Sequence, residues 1–366
     1  MTAGEDDHDA CRDALGPLRA ALYDGTADDS RAALGALLAP DAVGRFFHPV
    51  ETVAGAEAIH AAVWAPLHAA LPDLERRDHI VMAGPEAGGD DPAPWVGCGG
   101  AYVGTFRRPW FGIPPTGQVL HVRFHEFYRF EGGRVVEIQA LWDLPEAMMQ
   151  AGVWPMGPSL GREWHVPGPA TQDGVRPSAG TWGQPAFRAR SADACRRVID
   201  MLTALKRHPG DPDPASMEMA RYWHPRMTWY GPSGIGTGRG YAGFRHVHQI
   251  PFLNAMPDRG RYVDEIDYHF FAEGDYVAVT GWPDMIQTLS DGGWLGIAPA
   301  GRRVEMRSLD FWRLEGDDRR IRENWVMVDL LHMWDQIGVD VLGRMQELAK
   351  FRGVHDAPDL DPWSAA

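Results

Sequence analysis

The chain has 366 residues, too many for one ordinary domain and enough for two. Its formal net charge of -15, with no basic cluster longer than Arg76–Arg77, Arg107–Arg108 or Arg319–Arg320, excludes nucleic acid and anionic membranes as partners. Apolar residues make up 45%, enough for a real core, yet no apolar run reaches the roughly 18 residues of a spanning helix, and the acidic start lacks the apolar stretch of a secretory signal, so the expected location is cytoplasmic.

In chain order, residues 10–23 and 29–38 have the spacing of amphipathic helices, and 43–47 reads as a short strand. Residues 55–70 are alanine-rich and helical, closed by Pro72. Four longer strands follow at about 74–82, 94–106, 118–130 and 134–142, the last two joined by a hairpin at Glu131-Gly132-Gly133. A short helix starts at Leu144. Helices first and a strand meander afterwards predict an α+β unit, a curved antiparallel sheet wrapped over helices. Residues 153–190 are rich in proline and glycine and read as a linker, but Trp154, Trp164 and Trp182 predict that it packs along a domain surface.

The pattern then repeats. Asp9-Ala10-Cys11-Arg12 returns as Asp193-Ala194-Cys195-Arg196, and Leu71-Pro72-Asp73 as Met256-Pro257-Asp258. The run Gly112-Ile113-Pro114-Pro115-Thr116-Gly117 returns as Gly296-Ile297-Ala298-Pro299-Ala300-Gly301, and Glu126-Phe127-Tyr128-Arg129-Phe130-Glu131 as Asp310-Phe311-Trp312-Arg313-Leu314-Glu315. Order is kept while the offset drifts by a few residues, as duplication requires. The expected division is 1–152 for the first copy, 153–190 for the linker, 191–350 for the second copy and 351–366 for a tail.

Candidate chemistry lies on the strands. Leu120, Val122, Phe124, Tyr128 and Phe130 share a face with Glu126; in the second copy Val304, Met306, Trp312 and Leu314 share one with Ser308 and Asp310. A carboxyl on an apolar face either keeps its proton, as a general acid does, or is paired with an arginine or with backbone amides. Asp143 and Asp329 end the following strand, where Asp143-Leu144-Pro145-Glu146 has the form of a capping box. They also share strand faces with Glu137, Gln139 and Leu141, and with Glu323, Trp325 and Met327, so one or both can equally serve as a base at a cavity mouth. His246 and His248, two apart on a helix, point to different sides, and His121 and His125 lie on a polar strand face, so no metal site is expected. Cys11, Cys98 and Cys195 lack metal or disulfide spacing, neither Lys206 nor Lys350 is on a core strand, and no P-loop, G-x-G-x-x-G before a helix or nucleophile elbow occurs, so no cofactor is expected.

Gly104-Thr105-Phe106 followed by Phe111-Gly112-Ile113-Pro114-Pro115-Thr116-Gly117 resembles the signature of SnoaL-like polyketide cyclases, within the nuclear-transport-factor-2-like superfamily. The hairpin from Phe127 to Glu137, and Asp143 with Gln150-Ala151-Gly152, resemble that family's closing motifs; the second copy departs at Ile297-Ala298-Pro299-Ala300. The resemblance implies two cone-shaped domains, each a curved sheet on three helices around an apolar pocket, paired as an intramolecular pseudo-dimer that leaves room for further homo-oligomerisation. It implies a cofactor-free cyclase, isomerase or lyase acting on a small hydrophobic carbonyl compound, with Asp143 or Asp329 as general acid/base and Glu126 or Asp310 as a protonated donor. A non-catalytic carrier of a small apolar ligand is the alternative. In the second copy Trp312, Trp325, Met306, Met327 and Ser308 would line the pocket, and Tyr128 and Phe124 would do so in the first. On this reading Asp329→Asn abolishes turnover, on the order of a hundredfold or more, and leaves folding intact.

Overall fold

The computed structural model describes residues 7–87, 93–176, 180–207, 213–290 and 292–351. Copy one contains helices α1 (Asp7–Ala14), α2 (Gly16–Asp24) and α3 (Ala27–Leu37), strands β1 (Leu38–Phe46) and β2 (Thr52–Ala54), helices α4 (Ala56–Ala62) and α5 (Trp64–Ala70), strands β3 (Glu75–Pro85), β4 (Pro94–Thr105), β5 (Val119–Glu131) and β6 (Arg134–Trp142), and helix α6 (Leu144–Gln150). Copy two follows with α7 (Pro185–Arg207), α8 (Met219–Tyr222), β7 (Trp223–Tyr230), β8 (Gly238–Arg239), α9 (Gly240–Phe244), a π-helical turn Arg245–Gln249 and α10 (Ile250–Ala255). It closes with β9 (Tyr268–Glu273), β10 (Tyr276–Leu289), β11 (Arg302–Glu315), β12 (Arg320–Val328), α11 (Leu330–Gln336) and α12 (Val341–Phe351). No described helix is long and apolar enough to cross a membrane.

The two expected N-terminal helices differ in detail for local reasons. Residues 10–23 divide at Leu15 because Pro17 lies in the first turn of α2, where its missing N–H costs nothing. Pro66 divides 55–70 at Val63 in the same way. Helix α3 starts two residues early because Thr26 and Asp29 form a reciprocal capping box. Likewise α7 begins at Pro185, inside the stretch expected to be linker.

Each copy forms one six-stranded sheet, ordered β2-β1-β6-β5-β4-β3 and β8-β7-β12-β11-β10-β9. The sheets are mixed, which corrects the purely antiparallel expectation: β1 runs parallel to β6, and β7 parallel to β12. A parallel partner needs a long crossover, and the helices and meander between β1 and β6 provide it.

The sheets pack outer face to outer face about a pseudo-twofold axis. Phe127 meets Phe311, its own counterpart, at a ring distance of 5.0 Å, and also Phe271 at 5.3 Å. Gly97 and Gly99 admit these rings: a Cβ on Gly97 would stand 3.0 Å from both Phe271 and Phe311, and one on Gly99 2.9 Å from Phe311. His125 donates from Nδ1 to the carbonyl of Leu309, its counterpart, at 2.6 Å; burial pushes this imidazole down to about 3. Arg12 of copy one pairs with buried Glu273 of copy two, which also accepts from Ala83 N.

The linker is bound rather than free. Gly174 O accepts from Val81 N, Arg162 bridges to Thr237, Trp154 lies against Trp334 and Trp164 against Tyr230. Trp182 contacts His8.

The strand-end aspartates clasp this interface reciprocally. Asp143 accepts from Glu146 N at the start of α6, from Arg123 at 2.9 Å and, across the interface, from Ser233 N at 3.0 Å. Asp329 accepts from His332 N at the start of α11 and from His48 N of copy one at 2.9 Å, with Arg307 at 3.6 Å. Isologous contacts of this kind characterise a twofold interface. Removing one partner of a buried pair leaves the other charge without compensation. Asp143→Ala is therefore expected to lower unfolding stability by about 3–5 kcal/mol, read as a shift in the urea midpoint; a loss below about 1 kcal/mol would mean that the clasp contributes little.

Candidate functional site

Strand alternation sends even-numbered residues of β5 and β11 into the two cones, and the copies use that position differently. In copy one the interior acid is Glu126, which is fully buried and fully engaged. It accepts from Arg76 at 2.6 Å, from Tyr102 and Tyr128 at 2.7 Å and from the Trp142 indole at 2.9 Å. Arg76 is itself buried, stacked 4.2 Å over Phe124 and also paired with Asp78. Tyr102, Phe124 and Trp142 pack as an aromatic block with Trp64, and Tyr128 is buried at the Glu126 carboxylate. Of the alternatives open for Glu126, the structure has the arginine pair; Tyr128 and Phe124 serve as its packing.

Copy two replaces this block position by position. Cross-strand register aligns Phe124 with Ser308, Trp142 with Val328, Tyr128 with Trp312 and Tyr102 with Met285. Strand β9 carries no arginine to match Arg76. Two large rings thus become Ser308 and Val328, and four hydrogen-bond donors to the acid disappear.

The result is a cavity of about 120 Å³ between sheet and helices, lined by Asp310, Ser308, Met306 and Trp312 of β11 and by Asn324, Val326 and Val328 of β12. Helix α7 contributes Met201 and Leu202, the π-helical turn and α10 contribute His248, Gln249 and Phe252, and the turn after α10 contributes Arg259. For comparison, cavities near 150 Å³ hold benzene, so the space suits a compact ring better than an extended fused one.

A second acid enters here that the sequence reading did not single out. Between the pairs Gly281–Ser308 and Met285–Met306, three residues, Trp282, Pro283 and Asp284, stand opposite the single Arg307. Pro283 has no N–H for the ladder, so the strand bulges. A Cβ on Gly281 would fall 2.1 Å from that of Asp284, so glycine lets the bulge fold back on itself. Copy one has no such bulge at the equivalent place. The bulge turns Asp284 toward the cavity, where it accepts from Ser308 Oγ.

Electrostatics at the pair follow from burial. Burial pushes the Asp284 carboxyl up to about 7, against the Ser308 hydrogen bond and the Arg259 charge. Burial raises Asp310 well above its ordinary value, and the neighbouring Asp284 adds to the shift. Oδ1 of each acid is buried without a hydrogen-bond partner. Burial lowers the pKa of Arg259, and the two acids oppose that shift. His248 stacks on Trp229 at 4.3 Å, and burial pushes it down to about 3. It sits in the π-helical turn, a local underwinding common at functional sites, while His246, two residues earlier, is exposed.

Placement of the other candidates is plain. Asp310, Ser308, Met306 and Trp312 converge on the cavity. Asp329 and Asp143 do not line it; nor do Trp325 and Met327, which lie on the opposite face of β12. Trp325 stacks on Tyr230 and donates to Pro167 O, and Met327 lies in the interface beside Phe47 and Trp142. The reason is register: Leu309 pairs with Met327 and Phe311 with Trp325, so the odd residues of β12 share the outer face. The same holds for Gln139 and Leu141 opposite Phe127 and His125. The face carrying His125 and Arg123, read from sequence as polar, is the buried interface. Burial raises Asp329, with Arg307 and the amides of His332 and His48 opposing. His121 pairs with Glu146 and stacks on His165. Among the described residues no three His, Cys, Asp or Glu side chains gather as metal ligands.

A structure from Jannaschia sp. CCS1, assigned as a SnoaL-like polyketide cyclase, shares 23% identity, covering 41% of this chain and 96% of its own, with a TM-score of 0.33. IdmH of Streptomyces antibioticus, assigned as a polyketide cyclase, shares 22% over 39% of this chain and 98% of its own, with a TM-score of 0.32. AclR of Streptomyces galilaeus, assigned as a hydroxylase, shares 20% over 39% and 80%, with a TM-score of 0.31. No curated protein matches. The profile of the SnoaL-like polyketide cyclases matches twice, over residues 19–151 and 196–337, and the chain therefore belongs to that family as a tandem of two copies.

Proposed function

We propose that copy two is a cofactor-free acid/base catalyst acting on a compact carbonyl compound, with Asp310 as the acid and Asp284 as the base, and that copy one is its structural partner. The observation that carries this is the pair of cavity acids, each with an unpartnered oxygen and with pKa values separated by their surroundings. Such a separation assigns roles: Asp310 holds a proton to offer a carbonyl oxygen, while Asp284 is partly ionised near neutrality and can take one from the adjacent carbon. The C–H electron pair moves onto oxygen, and the resulting enolate lies beside a protonated donor in a site of low dielectric. Return of the proton elsewhere gives isomerisation; attack of the enol carbon on a second carbonyl of the same molecule gives ring closure. Family membership supports the second outcome.

This reading moves the base from Asp329, the residue that the resemblance pointed to, to Asp284. Asp329 is held by two backbone amides and Arg307 at the interface and does not line the cavity. The two assignments separate in one experiment. With 2-indanone in D2O, exchange of the protons beside the carbonyl is followed by NMR. Asp284→Asn and Asp310→Asn are each expected to slow exchange by about a hundredfold or more, with Asp329→Asn within a few-fold of the parent. Equal loss in Asp329→Asn would return the base to the interface, and no loss in either cavity variant would favour a carrier.

The pH profile has a defined sign. A base must be unprotonated, so kcat/KM for exchange rises with pH to a plateau above about 7, where Asp284 ionises. A rate that falls through this range would exclude Asp284 as the base.

Stability runs the other way. Asp284 binds its proton more tightly folded than unfolded, so its contribution is fully present below the unfolded value near 3.8 and is lost as pH rises to about 7. Asp284→Asn is therefore expected to raise Tm at pH 8 and to leave it nearly unchanged at pH 4, measured by thermal denaturation. A lower Tm at pH 8 would mean that the acid stabilises its site.

A further inference from the structure

The cavity of copy two holds more hydrogen-bond donors than acceptors. On its lining residues, Trp223 Nε1, Trp294 Nε1, Trp312 Nε1, Gln249 Nε2 and Arg259 Nε are buried without a partner. Among the described lining residues, His248 Nδ1, Asp284 Oδ1 and the Asp310 carboxyl stand on the other side, and a protonated acid is itself a donor. Buried donors left unpaired cost free energy until something with oxygens arrives.

Arg259 is the unusual member. A buried guanidinium is ordinarily matched by a carboxylate, as Arg76 is matched in copy one by Glu126 and Asp78. The Arg259 side chain makes no ion pair or hydrogen bond among the described residues; its guanidinium is held 5.2 Å over the Phe252 ring, on the wall of the cavity. The face of an aromatic ring fixes a guanidinium without using its N–H groups. Those groups remain available for a planar, two-oxygen anion.

We propose that Arg259 is the substrate-recognition residue of this cavity and that the substrate is a compact planar ring carrying a carboxylate, bound by that guanidinium with the ring among Trp294, Trp312 and Phe252. A dianion such as a phosphate ester is disfavoured, because the one guanidinium shares the cavity with two acids. A neutral hydrocarbon is disfavoured because it leaves every donor unpaired. The proposal rests on the reading of this cavity as the active site and adds to it what the site selects.

The test compares benzoate with benzamide, which matches it in shape but is uncharged, by calorimetry on the full chain. A charge-assisted hydrogen bond contributes enough for a preference of about tenfold to a hundredfold. Benzoate is expected to bind at least about tenfold more tightly than benzamide. Arg259→Gln is expected to weaken benzoate to the level of benzamide and to leave benzamide unchanged, with near-ultraviolet circular dichroism as the check on folding. Equal binding of the two probes, absence of benzoate binding, or a preference that survives in Arg259→Gln would each overturn the proposal. Binding is read without turnover, so the two readings fail separately. A benzoate preference in a protein that exchanges no ketone protons removes the acid/base mechanism and keeps the anion site. Exchange without the preference does the reverse.

Discussion

The packing of one sheet against the other governs what every inner-strand residue can do. Side chains alternate along a strand, so a residue of β5, β6, β11 or β12 either enters its own cone or meets the twin sheet. The interface claims Phe127, Phe311 and His125 on the long strands and Gln139, whose amide oxygen accepts from Thr280 Oγ1 across it. It also claims the carboxylates that end β6 and β12, because the loops of the opposite copy offer their amides there. What is left for chemistry is the even-numbered face, and there the two copies part. One covalent chain fixes this pairing, so the two copies can differ in what they place on that face.

Copy one shows what the interior acid costs when it is made structural. Glu126 takes an arginine, two phenols and an indole, and the cone is filled by the rings that bring them. Copy two strips those donors away and replaces two rings by Ser308 and Val328, then adds Asp284 on a strand bulge. Unpaired buried carboxyls destabilise a fold, and native proteins retain such arrangements chiefly where a site needs them. The same position in the same fold thus holds a satisfied anchor in one copy and an unpaired carboxyl on the cavity wall in the other, and the difference lies in four neighbours.

Much of this was legible in the chain. The repeated tetrapeptides and the conserved order of motifs led to two copies, and the strand with Glu126 or Asp310 was read on the correct face. The parity of the next strand was not, because register between strands is set by tertiary pairing and a one-residue slip exchanges the faces. That slip carried Asp143, Asp329, Trp325 and Met327 to a cavity they do not line. Asp284 was missed although Pro283, inside an apolar strand pattern, marks a bulge. Arg259 and His248 lie on segments whose contacts depend on how α10 and the following loop fold over the sheet, which no local pattern encodes. Comparison of one copy with the other held the strongest unused signal: Phe124 against Ser308 and Trp142 against Val328 mark where copy two makes room for its cavity.

The central claim is that copy two keeps a carboxyl protonated at neutral pH in a cavity and that copy one keeps its interior acid paired. Infrared difference titration of the full chain reads this directly through the carbonyl stretch of a protonated carboxyl. The account predicts such a band at about pH 7, weakened as Asp284 ionises near 7, removed above about pH 8 by Asp310→Asn, and unchanged in Glu126→Gln. A spectrum with no protonated carboxyl above about pH 5, or a band that vanishes in Glu126→Gln and persists in Asp310→Asn, would contradict it.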